Sequence, residues 1–163
     1  MMEILDRLQK FFGVSSKGNG NREPTDVVNI LIEEYHNLIR LARQITSHAE
    51  RAPYPFVAQL LQRIALEKQK SASALKDKIL HLGGRPEEPD LKLHSGKNHW
   101  ARIVQDIKDQ KDLEVRLIDD VSRLALKSPE ITDLLRQIVS GEISHRETLQ
   151  DLAARADPQA NQS

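Results

Sequence analysis

The chain of 163 residues contains no cysteine. That absence excludes disulfides, thiolate metal sites, iron-sulfur clusters and a cysteine nucleophile, so any bound metal must rely on histidine and carboxylate. Aromatic residues are scarce, at three Phe, two Tyr and one Trp. With few alternating β-branched runs, this argues against a sheet. Charge of one sign is also missing, since 24 Lys and Arg balance 24 Asp and Glu; no net field marks a nucleic-acid or acidic-lipid binder. No run approaches the ~18 apolar residues of a membrane span. Glu3, Asp6 and Arg7 interrupt a secretory pattern, which makes the cytoplasm the expected compartment. Neither a glycine-rich phosphate loop nor an interleaved basic and aromatic patch is present.

What the chain does have is helical periodicity. Residues 2–13 put Ile4, Leu5, Leu8, Phe11 and Phe12 on one side of a short amphipathic helix, suited to docking on a protein partner or to weak membrane contact. SSKGNGNREP then reads as a flexible tether, so residues 1–24 form an appendage. From an N-cap at Thr25, Val28, Leu31, Tyr35, Leu38, Ala42 and Ile45 recur at steps of three and four up to APYP, residues 52–55. A second stripe, Val57, Leu61, Ile64, Leu75, Ile79 and Leu82, ends at Gly83 and Gly84. Residues 85–98 lose the period. The third stripe, within 98–127, is Trp100, Ile103, Ile107, Leu117, Val121 and Leu124; the fourth, opened by Ser128 and Pro129, is Ile131, Leu135, Ile138, Leu149, Leu152 and Ala156. The tail, 158–163, is polar and expected to be disordered.

These lengths predict an all-α, antiparallel four-helix bundle over residues 25–157. Its helices are about 40 Å long, and an extended link of some 14 residues reaches about 45 Å. A link of that reach can run the full length of the bundle, giving up-down-down-up connectivity.

Polar residues interrupt each stripe near its middle. Glu34 is bracketed by Ile30, Leu31 and Leu38 and points inward, whereas Glu33 points outward. Glu114 falls between Ile107 and Leu117, and Glu142 with His145 between Ile138 and Leu149. On the second helix Glu67, Lys68 and Ser71 interrupt. At 1.5 Å per residue the four glutamates lie about 18 to 25 Å from one end, which predicts a single polar layer. Carboxylates buried together need cations or protons to neutralise them. The remaining histidines, His36, His48, His81, His94 and His99, show no second ligand spacing and read as solvated or capping groups. Asp119 and Asp120 read as a solvated face. Tyr35 reads as packing, with a hydrogen bond to a ligand carboxylate as its other role.

A glutamate on each of two helices with Glu-x-x-His on another resembles the di-iron carboxylate site of the ferritin-like superfamily, in its bacterioferritin and rubrerythrin branch. The text that carries the resemblance is IEEYHNL, IALEKQKSASALKDKILHLGGRP, KDLEVRL and GEISHRETLQDL. It implies a ferritin-like bundle that binds iron, with manganese or zinc as other occupants, through Glu34, Glu67, Glu114, Glu142 and His145. It further implies ferroxidase- or peroxidase-like chemistry in iron handling or oxidative defence, and a homo-oligomer. The sequence departs from the family on the second helix, where Glu67-x-x-Lys70 or Lys68-x-x-Ser71 replaces Glu-x-x-His, so the site is incomplete. That helix has no methionine to ligate haem, and no Cys-x-x-Cys segment exists. Two outcomes stand open: a metal held by the surviving ligands, or a metal-free scaffold or interaction module in which a lysine supplies the charge.

Overall fold

The computed structural model describes residues 23–160, with side chains from Asp26 onward. Expectations for residues 2–13, most of the tether and the last three residues fall outside that range. The described residues form an all-helical structure of four helices without a strand: α1 Glu23–Glu50, α2 Pro55–His81, α3 His99–Leu124 and α4 Pro129–Arg155. Among the described residues, no helix is long and apolar enough to cross a membrane.

Local chemistry sets the helix ends. α1 starts two residues ahead of Thr25, so Thr25 lies within the first turn rather than at the cap. Pro55 occupies the first turn of α2, where its missing N–H costs no helical bond. At the other end Gly83 takes φ +83°, the left-handed conformation that glycine adopts without a Cβ clash. Gly83 N then donates to Leu80 O at 3.0 Å and Gly84 N to Ile79 O at 2.9 Å, a Schellman closure of otherwise orphaned carbonyls. Asn98 caps α3, its side chain accepting from Ala101 N at 2.8 Å. Ser128 precedes Pro129 as expected, yet its side chain makes no cap bond; its carbonyl accepts Thr132 Oγ1 at 2.9 Å instead.

Paired side chains give the helix directions. His48 meets Asp106 while Glu34 faces Asp120, so α1 and α3 run antiparallel. Lys68 meets Glu142 and Lys78 meets Glu130, so α2 and α4 do too. Residues 82–98 travel back along α1: Glu87 O receives His36 Nε2 at 2.8 Å, Glu88 pairs with Arg43 at 2.8 Å, and His94 N donates to Gln44 Oε1 at 2.8 Å. The chain after α4 folds onto the start of α3 through Asn98 Nδ2 to Pro158 O at 3.1 Å, so the tail begins with a tethered turn.

The core is drawn from all four helices, with Leu31, Leu38, Leu61, Leu75, Ile103, Leu117, Leu135 and Leu149 fully enclosed. Each such side chain contributes roughly 1.5–3 kcal/mol on leaving water. The stripes correct the sequence reading at two ends. Leu82 lies past the last turn of α2 and is exposed. On α3 the first inward position belongs to His99, which leaves Trp100 half-buried at the edge.

Candidate functional site

The centre of the bundle holds a lysine. Lys68 is fully buried on α2, one helical step from the exposed Glu67 and two from the exposed Lys70. The second helix therefore presents Lys68, Ser71, Ala72 and Leu75 toward the interior. Lys68 Nζ donates to Glu142 on α4 and, at 2.5 Å, to Gln110 Oε1 on α3. Gln110 turns its amide nitrogen to Glu142, reaching Oε2 at 2.8 Å and the backbone carbonyl at 2.9 Å. Three helices are thus tied through one ammonium, one carboxylate and one amide.

Electrostatics agree with an ion pair. Burial works to raise the Glu142 pKa, but the Lys68 charge and hydrogen bonds from His145 and Lys68 outweigh it and hold the carboxyl at about 2. Burial lowers the Lys68 pKa from its ordinary value, against the pull of Glu142. His145 stands between two carboxylates. Its Nε2 lies 2.6 Å from Glu67 Oε2, and its Nδ1 is 3.4 Å from Glu142 Oε1. Glu67 reaches this contact from the surface, half-exposed.

The other expected ligands are elsewhere. Glu114 is buried, but Arg146 Nε reaches both its oxygens at 3.0 and 2.9 Å. Burial raises the Glu114 pKa against that attraction. Glu34 points inward as its bracketing predicts, and it faces Asp120, ten residues along α3 from Gln110, about 15 Å away along the axis. The single polar layer expected from counting residues is therefore not formed. The register of α1 against α3 puts Glu34 opposite Asp120, whereas α2 and α4 bring Lys68 to Glu142 at the level of Gln110. Burial, then the charge of Asp120, raises Glu34 to about 8, with Asp120 raised by burial to about 6. Such a pair keeps a proton between its members at neutral pH.

Sequence reasoning missed a second polar cluster on the α1–α3 seam. His48 is buried, not solvated, with Nδ1 2.8 Å from Asp106 Oδ2. Gln44 Nε2 donates to Asp106 Oδ1 and Asp109 Oδ2, both at 2.8 Å, and His94 Nδ1 lies 2.9 Å from Asp109 Oδ2. Burial would raise the Asp109 pKa, but these donors lower it. Asp120 is likewise buried rather than solvated. The signal was available: Gln44 and His48 alternate with Leu41, Ile45 and Ala49, and Asp106, Asp109 and Gln110 fill the gap between Ile103 and Leu113. Tyr35 is buried and lies near Glu88 of the link rather than serving a ligand carboxylate; burial and then the Glu88 charge raise its pKa.

As placed, these donors do not fit a metal pair. Glu142 is committed to an ammonium, Glu114 to a guanidinium and Glu34 to a shared proton, which leaves His145 with Glu67 as its nearest open partner. Among the described residues, no group of three or more His, Asp or Glu side chains is arranged to hold a metal ion. No protein-family model matches the sequence. A search of curated proteins likewise finds no match.

Proposed function

We propose that this chain is a metal-free four-helix scaffold of ferritin-like topology, working as an interaction module rather than as an oxidoreductase. In this reading Lys68 supplies the positive charge that iron supplies in the related sites. The observation that carries it is the complete burial of Lys68 with Nζ on Glu142 and Gln110. A buried charge of this kind is costly unless paired, and here the pairing also selects which faces of α2, α3 and α4 meet. The antiparallel seams and the link lying along α1 support an up-down-down-up order. An interaction role draws support from Tyr54 and Phe56, which stack at 5.9 Å between ring centroids and stay 59% and 54% exposed; aromatic side chains of this sort are enriched in protein interfaces.

Metal analysis separates this reading from the iron-binding one. Protein produced with and without added iron should carry less than about 0.2 equivalents of iron, manganese or zinc, and should keep its stability in chelator, because no folding energy comes from a metal. Lys68→Met should destabilise the fold by about 3–5 kcal/mol by stranding Glu142, while adding Glu142→Leu should restore most of the loss. Stoichiometric metal lost to chelator together with stability, or a neutral Lys68→Met, would return the assignment to a metal centre built on Glu142, His145 and Glu67.

A further inference from the structure

On the α1–α3 face, beside His94 of the link, lies a cleft of about 250 Å³ lined in part by Asn37, Arg40, His94, Asp109, Asp112 and Arg116. It shares no residue with the Lys68 cluster, so a ligand bound there is independent of the proposed scaffold role. Its volume is below the ~300–1,000 Å³ of sites for drug-sized ligands, which limits the occupant to something small.

The polar groups of this cleft have capacity to spare. Arg40 contacts Gln44 Oε1 at 3.3 Å and Asp109 Oδ2 at 3.6 Å, both through Nη1. Arg116 reaches Glu33 Oε1 at 3.5 Å, again through Nη1. Each guanidinium therefore keeps an edge for a further acceptor, and this residue forks onto oxyanions. Asn37 Nδ2 is buried beside Glu34, whose carboxyl pKa it works to lower, so Asn37 contributes to the wall of the cleft rather than a free donor. Asp109, the carboxylate deepest in the cleft, is already supplied by Gln44, His94 and Gln105. His94 Nδ1 donates to Asp109, which leaves Nε2 as the ring's remaining polar atom.

We infer that this cleft binds a small oxyanion of the phosphate class, with Arg40 and Arg116 on its charged oxygens and His94 on the wall beside them. Inorganic phosphate and phosphomonoesters both present several charged oxygens to two guanidinium groups near neutral pH. A simple carboxylate has one charge and two oxygens to divide between the two guanidinium groups, so it should bind less well. Asp112 is exposed, and its negative charge opposes a bound dianion. That makes Asp112 a test in its own right.

The full chain, labelled with nitrogen-15, is titrated with inorganic phosphate, with glycerol phosphate and with acetate at constant ionic strength, following amide shifts. Saturable shifts confined to the surroundings of Arg40, His94 and Arg116 are expected, with a midpoint of roughly 1 mM or tighter. Arg116→Gln, at an exposed position, should weaken binding at least about tenfold, as should Arg40→Gln, whereas Asp112→Asn should tighten it several-fold. Stronger binding of glycerol phosphate than of inorganic phosphate would support the site and identify a phosphomonoester as its ligand; the reverse order would support it for the free ion. The inference is overturned by shifts that grow linearly without saturation, by equal response to acetate, or by Arg116→Gln and Asp112→Asn leaving the midpoint unchanged.

Discussion

Glu34 is buried at 2% exposure with a carboxyl for a neighbour, and its titration couples directly to folding. Its folded pKa, about 8, lies above the ordinary 4.5, so the protonated form is favoured in the native state. The associated stability is present in full below about pH 4.5 and is lost as the pH rises through 8. Asp120, raised to about 6, acts in the same sense. Glu142 acts in the opposite sense: held at about 2, it stabilises the fold above its ordinary 4.5 and ceases to do so as the pH falls through 2. The urea midpoint should therefore decline on both sides of a maximum near pH 5. Glu34→Gln should flatten the alkaline limb and raise stability by roughly 2 kcal/mol at about pH 9, with little effect near pH 5. An unchanged alkaline limb in that variant would show that Glu34 is not the group that titrates. Single residues were only partly legible. Bracketing by apolar neighbours correctly turned Glu34, Glu114, Glu142 and His145 inward, because a helix face follows from spacing alone. Which partner each one meets depends on how neighbouring helices slide against each other, and no spacing within one helix encodes that. Asp120 and His48 escaped notice for a related reason: each borders a stripe, and the final rotation of the helix decides on which side of the border it falls.

At the scale of elements, the sequence placed four helices and their breaks closely, since proline, glycine and capping residues act over one or two positions. The rotation of α2 was undecided between Glu67 and Lys68, which stand about 100° apart on the helix and both adjoin the stripe. Packing selects Lys68, whose long side chain can lie along the core while its ammonium finds Glu142 and Gln110. The link was legible as a break in periodicity, but not as a packed segment. Gly96 shows how tightly it sits: an added Cβ would lie 2.6 Å from Ala101 C and from Arg102 N, both backbone atoms of α3 that cannot step aside. Gly83 is the contrasting case, with φ +83° and open space around the position. Gly96→Ala should therefore cost about 2–3 kcal/mol through displacement of the link or of the first turn of α3. Gly83→Ala should cost about 1 kcal/mol from backbone strain alone. Chemical denaturation of both variants gives the order, and a Gly96→Ala change milder than Gly83→Ala would mean that the link yields freely.

Over the whole molecule, the apolar core runs from Val27 near the start of α1 to Leu152 near the end of α4 and closes on residues of the four helices. α1 and α3 are further joined by the Gln44, His48, Asp106 and Asp109 network, and α2 and α4 by the Lys68–Glu142, Glu67–His145 and Lys78–Glu130 pairs. Lys78–Glu130 is at the surface and Glu67–His145 half so, where an ion pair adds little, and the seams rest on apolar packing, the buried Lys68–Glu142 pair and the α1–α3 network. Such a core should unfold cooperatively by itself, and the docking expected from the sequence of residues 2–13, which lie outside the described residues, asks nothing more of it. A chain shortened to begin at Asn21, which keeps the first turn of α1, should melt in one transition within about 3 °C of the full-length protein, equivalent to less than about 1 kcal/mol at this size. A fall of about 8 °C or more, or the appearance of a second transition, would instead mean that the N-terminal segment packs against the bundle as part of its structure, and the partner reading of that segment would have to be given up.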